Sequence, residues 1–234
     1  MFRGVDPVVA LHGFAGTGRT WDALGADVVA PDLPGHGAAA DLRPVSFDTC
    51  VAHVLAAAPE RFVLAGYSMG GRIALHVALV APERVSRLIL ISTSPGIEDA
   101  AEREERRRAD EALAAEVEAG PIEAFADRWM ALPLFAGEPP ESRERWRADI
   151  LRNEPAGLAA SLRGVGAGAM TPLWDRLHEL AMPIRLAAGE RDAKYRALAD
   201  RMALDVRGEV EVVPGAGHGL PREAPAAVAA LLQS

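Results

Sequence analysis

The stretch Gly66-Tyr67-Ser68-Met69-Gly70-Gly71 constrains the fold of this chain more than any other segment, because it joins an apolar run directly to a helix-forming run. A strand that turns into a helix over so few residues forces the central residue into a strained backbone conformation. Glycines at Gly66 and Gly70 avoid the collisions that side chains would cause there. The pattern predicts a nucleophile elbow, with Ser68 exposed at the carboxyl end of a strand in a parallel sheet.

Two further segments supply the partners that such a serine needs. A serine hydroxyl becomes a nucleophile or a base only when a histidine takes its proton and an acid holds that histidine in one tautomer. Asp192 follows the apolar run Ile184 to Ala188, and His218 follows the run Val210 to Val213 with a glycine on either side. The order serine, acid, histidine, each after a predicted strand, is that of the α/β-hydrolase fold. We therefore predict a triad of Ser68, Asp192 and His218.

An oxyanion hole is predicted on the other side of the serine. The first apolar run, Val8 to Leu11, leads into His12-Gly13-Phe14, and a turn after a strand can aim the Phe14 N–H at the pocket. Together with the N–H of Met69, the residue after the serine, it would stabilise a developing oxyanion. For His36, in the loop after the next apolar run, we favour a hydrogen bond to nearby backbone over a substrate contact.

The overall pattern predicts an α/β class protein with the α/β-hydrolase fold. Strands and helices alternate from Val8 to Ser92, which builds a mostly parallel sheet flanked by helices, here with about six main strands. With 234 residues and half of them hydrophobic, the chain fits one domain with an insertion better than two domains.

The alternation breaks after Ser92 and resumes at Ile184. Residues Glu98 to Glu118 favour an exposed helix with opposite charges three or four positions apart. Aromatic-rich helical segments follow, which together read as an all-helical cap that selects substrate and excludes water. We expect core residues 1–94, a helical cap at 95–175, and core residues 176–234.

Composition and net charge limit the classes of partner and cofactor that we expect for this chain. A net charge of −8 argues against nucleic acid and anionic membrane surfaces, and no apolar run approaches the ~20 residues of a membrane span. The single cysteine, Cys50, excludes an internal disulfide and favours a cytoplasmic protein. Neither a metal-ligand cluster nor a dinucleotide-binding glycine loop is present, so we expect no metal and no cofactor. We expect a monomer or weak homo-oligomer.

These residues do not decide which reaction the serine catalyses. An activated serine can hydrolyse esters or thioesters, cleave carbon–carbon bonds, or abstract a proton and drive an elimination. Arg72 lies four residues after Ser68, one helical turn along. A cation beside a catalytic serine is costly unless it meets an anion, which favours an acidic substrate. Pairing of Arg72 with a neighbouring acid explains the spacing equally well.

The chain resembles a known family, the 2-succinyl-6-hydroxy-2,4-cyclohexadiene-1-carboxylate synthases of menaquinone biosynthesis. The likeness covers nearly the whole chain through His12-Gly13-Phe14 with Trp21, Asp32 to Gly37, Gly66 to Arg72, Ser94-Pro95-Gly96, the arginine-rich helix that ends near Asp110, Phe125-Ala126-Asp127 with Trp129, Pro133-Leu134-Phe135, Leu151-Arg152-Asn153, Gly189 to Asp192 with Lys194, and Ala216-Gly217-His218. The loop motifs are shared with many hydrolases. Arg72 after the double glycine, with the cap pattern and Lys194, is what points to this family.

The resemblance implies a lyase that eliminates pyruvate from 2-succinyl-5-enolpyruvyl-6-hydroxy-3-cyclohexene-1-carboxylate, with Ser68 acting as a base. It implies a small polycarboxylate substrate, bound by Arg72, Arg106, Arg152 and Lys194 in a pocket lined by Tyr67 and Trp129. One departure is that the family's second histidine, a few residues after the first, is replaced here by Gly219-Leu220-Pro221. The alternative is a hydrolase of the same fold that acts on an ester or a carbon–carbon bond of a small acidic substrate.

Overall fold

A computed structural model describes residues 6–24 and 28–233. Its described residues contain one sheet of six parallel strands in the order β2-β1-β3-β4-β5-β6. The strands are β1 Val8–Leu11, β2 Val28–Val29, β3 Phe62–Tyr67, β4 Val85–Ile91, β5 Ile184–Gly189 and β6 Glu209–Val213. The predicted fold class is confirmed, and the carboxyl ends of the central strands lie at one edge of the sheet.

Helices connect the strands and continue beyond them. They are α1 Phe47–Ala57, α2 Met69–Val80, α3 Ala100–Ala119, α4 Ile122–Met130, α5 Pro140–Ile150, α6 Pro155–Val165, α7 Ala193–Val206, α8 Leu220–Glu223 and α9 Pro225–Gln233. Local signals explain several starts. Ser46 accepts the N–H of Thr49 ahead of α1, and prolines open α5 and α6, where a missing N–H costs nothing.

The alternation of side chains along the strands divides the core between the two faces of the sheet. Leu64 of β3 packs in a cluster with side chains of α1, α2 and α7. Its neighbour Ala65 points to the other face and packs with Trp21 and with side chains of α9. All six residues of β3 are buried, as expected for a central strand covered on both sides.

The segment between β4 and β5 is helical and carries its own apolar cluster. Helices α3 to α6 fill it, and their core is aromatic, with buried Phe125, Phe135 and Trp146. The outer face of α3 is charged, and Glu104 pairs with Arg107 and Arg108 three and four residues on. These helices match the expected all-helical insertion, whereas the exact cap boundaries at 95 and 175 stay a prediction.

None of the helices among the described residues combines the length and the hydropathy needed to cross a bilayer.

Gly70 provides a test of the elbow's packing. A Cβ at this position would lie 2.3 Å from the Leu11 carbonyl oxygen, and backbone cannot easily give way. We expect Gly70→Ala to lower the free energy of unfolding by about 3 kcal/mol in urea titrations. Gly120→Ala is the matched control, because a Cβ there meets only Glu116 O at 3.6 Å and the backbone is extended. A loss below about 1 kcal/mol at Gly70 would contradict this packing.

The buried thiol of Cys50 should make the free energy of unfolding fall as pH rises above neutrality. Burial raises the pKa of its thiol from 9.0 to about 12. Between these values the unfolded chain releases a proton that the folded chain keeps, so stability falls as pH rises. Between pH 8 and pH 10, wild type should lose about 1 kcal/mol more unfolding free energy than Cys50→Ala. Equal losses in urea titrations of the two proteins would show that the thiol is not shielded.

Candidate active site

Ser68 lies at the junction of β3 and α2 in a conformation that non-glycine residues rarely adopt, with φ 53° and ψ −111°. Its N–H donates to the Ile91 carbonyl at 2.9 Å, and Thr93 Oγ1 donates to its carbonyl at 2.7 Å. A Cβ at Gly66 would lie 2.5 Å from Gly70 O, so this turn closes only with glycine there. The elbow predicted from the sequence is therefore present as a strained turn fixed by β4.

The structure brings Ser68, His218 and Asp192 together. His218 Nε2 lies 3.2 Å from Ser68 Oγ, and His218 Nδ1 lies 2.7 Å from Asp192 Oδ2. The imidazole and the carboxylate are 3% and 4% exposed. A proton on Nδ1 donates to Asp192, which leaves Nε2 free to accept the serine proton. The geometry can therefore pass a proton from the serine hydroxyl to the imidazole.

Phe14 and Met69, the predicted oxyanion-hole residues, both lie next to the cavity that contains Ser68. Phe14 follows β1, and Met69 is the first residue of α2, where helical N–H groups have no partner one turn back. No hydrogen-bond acceptor is found for either N–H within residues 6–24 and 28–233. Both residues line the cavity above Ser68. Both N–H groups therefore remain free to donate a hydrogen bond, and their role as an oxyanion hole stays a prediction.

A cavity of about 370 Å³ lies between the serine and the helical insertion. That volume suits a small organic molecule. The insertion contributes most of its apolar wall, through Leu113, Trp129, Leu134, Phe135, Trp146 and Leu162. Tyr67 and Trp129, both expected to line the pocket, do so. The Trp129 ring lies 5.1 Å from that of Phe14, so Trp129 also packs against the loop after β1.

Arg72 is the buried cation of this cavity. It is 8% exposed, its Nη2 donates to Val165 O at 2.9 Å, and its Nε has no hydrogen-bond partner among the described residues. Burial lowers the pKa of Arg72 to about 10, which leaves the guanidinium charged at neutral pH. No carboxylate of the described part of the chain forms an ion pair with it. An uncompensated buried charge of this kind is costly unless an anion occupies the cavity.

Arg106 also lines the cavity but is already paired. Its Nε donates to Asp110 Oδ1 at 2.7 Å, and the same carboxylate accepts the Gly168 N–H at 3.1 Å. The Arg106 side chain is 44% exposed, in contrast to Arg72. Arg106 lines the cavity and neither Arg107 nor Arg108 does, and the binding of substrate by Arg106 stays a prediction.

Two expected substrate contacts lie outside this cavity. Arg152 is exposed and lines a separate cavity of about 550 Å³ beside the first one. Lys194 is exposed in the first turn of α7 and does not line the serine cavity. The structure therefore does not bring either side chain to Ser68.

Tyr195 and Arg222 are cavity residues that the sequence analysis did not single out. Tyr195, the neighbour of Lys194, lies with its ring 4.6 Å from that of His218, and burial raises its pKa. Arg222 reaches both cavities and pairs through Nε and Nη2 with the buried Glu138. A usable signal existed for Tyr195, because the chain has only two tyrosines and the other is Tyr67 of the elbow.

His36 has the structural role that the sequence favoured. It is fully buried, its Nδ1 lies 3.3 Å from Pro34 O, and it does not line the serine cavity. Burial lowers its pKa well below 6.5, so the ring is neutral at physiological pH. Its edge contacts with His12 and Phe14 support the loop after β1.

Within residues 6–24 and 28–233, no group of three or more histidine, cysteine, aspartate or glutamate side chains is arranged to hold a metal ion.

Comparison with known proteins agrees with this geometry. The model of the alpha/beta hydrolase family matches residues 8–231. The putative 2-succinyl-6-hydroxy-2,4-cyclohexadiene-1-carboxylate synthase of Bacillus subtilis is 36% identical over 94% of this chain and 86% of that protein. The corresponding synthase of Klebsiella pneumoniae subsp. pneumoniae is also 36% identical, over 98% of this chain and 93% of that protein.

Solved structures give the same result. The structure of MenH from S. aureus matches with a TM-score of 0.89 and 32% identity, over 98% of this chain and 93% of that one. A thermophilic esterase from Thermogutta terrifontis matches with a TM-score of 0.80 and 26% identity, over 98% and 88%. The chain belongs to the alpha/beta hydrolase family and, within it, to the family of 2-succinyl-6-hydroxy-2,4-cyclohexadiene-1-carboxylate synthases.

Proposed function

We propose that this protein eliminates pyruvate from 2-succinyl-5-enolpyruvyl-6-hydroxy-3-cyclohexene-1-carboxylate and forms 2-succinyl-6-hydroxy-2,4-cyclohexadiene-1-carboxylate, a step of menaquinone biosynthesis. The observation that carries the proposal is the buried Arg72, which lines the cavity beside Ser68, His218 and Asp192 and has no carboxylate partner among the described residues. An uncharged ester would leave that cation unpaired, whereas a polycarboxylate would compensate it.

In the proposed reaction Ser68 acts as a base. The ring carbon that bears the succinyl group carries a hydrogen next to a carbonyl, which makes this hydrogen acidic. Ser68 Oγ takes that proton as its own passes to His218 Nε2, and Asp192 stabilises the imidazolium. The C–H electron pair forms a ring double bond, the existing double bond shifts, and the bond to the enolpyruvyl oxygen breaks. The enolate of pyruvate leaves with the electron pair of that bond and takes up a proton at its methylene carbon, which gives pyruvate, and His218 gives up the proton that it received.

The same site would stabilise the charge that develops during this step. Loss of the proton places negative charge on the succinyl carbonyl oxygen. The N–H groups of Phe14 and Met69 would receive that oxygen. Arg72 and Arg106 would hold carboxylates by charge-assisted hydrogen bonds, which orient the substrate so that a C–H and not a carbonyl carbon meets Ser68. This orientation separates elimination from acyl transfer.

Residues 95–175 would act as a cap over this chemistry. Their aromatic side chains form the apolar wall of the cavity, where excluded water strengthens the interactions with the arginines. Arg152, which the resemblance assigns to the substrate, would reach it only if the cap moved. We further propose a cytoplasmic monomer or weak homo-oligomer, consistent with a single buried, unpaired Cys50.

Pyruvate release is the direct test of the proposed reaction. Wild type should release pyruvate rapidly from the enolpyruvyl substrate, measured by coupling to lactate dehydrogenase. Ser68→Ala should lower kcat by about 10²–10⁴-fold, because the proton relay is lost. With an aryl ester, we expect slow turnover without a burst. A fast burst of phenol together with absent pyruvate release would establish the hydrolase alternative.

The arginines provide a second, graded test. Arg72→Ala should lower kcat/KM. The expected loss of transition-state stabilisation is about 2–5 kcal/mol, because the substitution leaves a substrate carboxylate in a buried site without its partner. Arg152→Ala should lower kcat/KM by less, since the Arg152 guanidinium lies outside the serine cavity. Arg163→Ala is the matched control, an exposed cap arginine that pairs with Glu111 and Glu118. A loss below threefold in Arg72→Ala, with unchanged folding by circular dichroism, would point to an uncharged substrate.

A further inference from the structure

Glu223 is a buried carboxylate that the proposed proton relay does not use. Its side chain is 3% exposed, at the carboxyl end of α8. Its Oε2 accepts the N–H of Gly217 at 2.7 Å, and its Oε1 accepts the N–H of Gly219 at 2.9 Å. These two peptide groups flank His218, so one carboxylate holds the backbone on both sides of the catalytic imidazole.

A third contact extends this arrangement to the acid of the triad. Arg191 Nη2 donates to Glu223 Oε2 at 2.9 Å, and Arg191 directly precedes Asp192. The Arg191 N–H also donates to the Ala216 carbonyl at 2.9 Å. The loop after β5 and the loop after β6 are therefore connected both by backbone and by this carboxylate.

The hydrogen bonds of the loop before Gly217 lie farther from the imidazole along the chain. The Gly215 N–H donates to Glu190 Oε2 at 2.8 Å, and the Ala216 carbonyl accepts the Arg191 N–H at 2.9 Å. Charge-assisted hydrogen bonds to backbone N–H groups are stronger than neutral ones. Glu223 is thus the group best placed to fix where the loop presents its imidazole.

We propose that Glu223 is a positioning residue for His218. By holding the N–H groups of Gly217 and Gly219, it keeps Nε2 within reach of Ser68 while Nδ1 stays bonded to Asp192. A displacement of about 1 Å between catalytic groups can cost about 100-fold in rate. The inference rests on the proposed function for the role of the triad, but its consequence for Ser68 reactivity does not depend on the physiological substrate.

Glu223→Gln tests this with a fluorophosphonate probe. The probe forms a phosphorus–oxygen bond to Ser68 as fluoride leaves and His218 takes the serine proton, so the rate constant of labelling reports how well the imidazole is placed. Glutamine has nearly the same size but only one acceptor oxygen, so one flanking N–H faces an NH₂ group. We expect the labelling rate constant to fall at least about tenfold while the final labelled amount is unchanged. In the pyruvate assay kcat should fall similarly, with KM changed less than threefold.

Glu190→Gln is the matched control on the same loop. Glu190 Oε2 accepts the Gly215 N–H at 2.8 Å, and an amide oxygen can keep this single bond. Its labelling rate constant should stay within twofold of wild type. If Glu223→Gln fails to fold, Glu223→Asp takes its place, because a carboxylate one methylene shorter cannot reach both N–H groups and should show the same decrease.

The two proposals fail in different ways. A folded Glu223 variant that labels within twofold of wild type would overturn the positioning role, whatever the protein does with the enolpyruvyl substrate. Rapid labelling of wild type without pyruvate release would overturn the proposed function and leave the positioning role intact. A labelling rate constant that is tenfold lower in Glu223→Gln and unchanged in Glu190→Gln supports the positioning role.

Discussion

The strained backbone of Ser68 is the constraint on which the site depends. A positive φ at a serine is unfavourable, and it persists only because the surroundings determine it from several sides. Ile91 at the end of β4 and Thr93, two residues after it, hold the peptide groups of Ser68, and the close approach of Gly70 to Leu11 presses α2 against β1. The elbow therefore needs three adjacent strands in register, which links the reactivity of one hydroxyl to the order of the whole sheet.

Local patterns explain why most of the fold could be predicted from the sequence. β1 begins and ends with the apolar run Val8 to Leu11, and β5 extends the apolar run Ile184 to Ala188 by one residue. Such signals are contained in a few consecutive positions. The spatial meeting of Ser68, Asp192 and His218 could also be anticipated, because the carboxyl ends of parallel strands meet at one edge of a sheet.

The cation contacts were harder to predict because they depend on which way a side chain points. Lys194 and Tyr195 are adjacent at the start of α7, and about 100° of helical rotation places one in solvent and the other in the cavity. Their spacing from Asp192 can be read from the sequence. The sequence does not show which face of α7 is turned toward the helical insertion. Arg222 was missed for another reason, since its partner Glu138 is 84 residues away in the chain.

The position of Arg152 also shows what its segment does. Its neighbour Asn153 is buried, donates to Ala15 O at 3.0 Å, and accepts the Gly37 N–H at 3.1 Å. Asp149, one turn earlier, accepts the Thr17 N–H at 3.1 Å. The contacts to Ala15 and Thr17 join the helical insertion to the loop that carries Phe14, whose N–H is a proposed oxyanion donor, and the contact to Gly37 joins it to the loop after β2. The insertion therefore holds the loop of a proposed oxyanion donor, and an insertion that moved away fully would release that loop. Because the oxyanion donors must be in place before charge develops, large opening and catalysis would have to alternate in time.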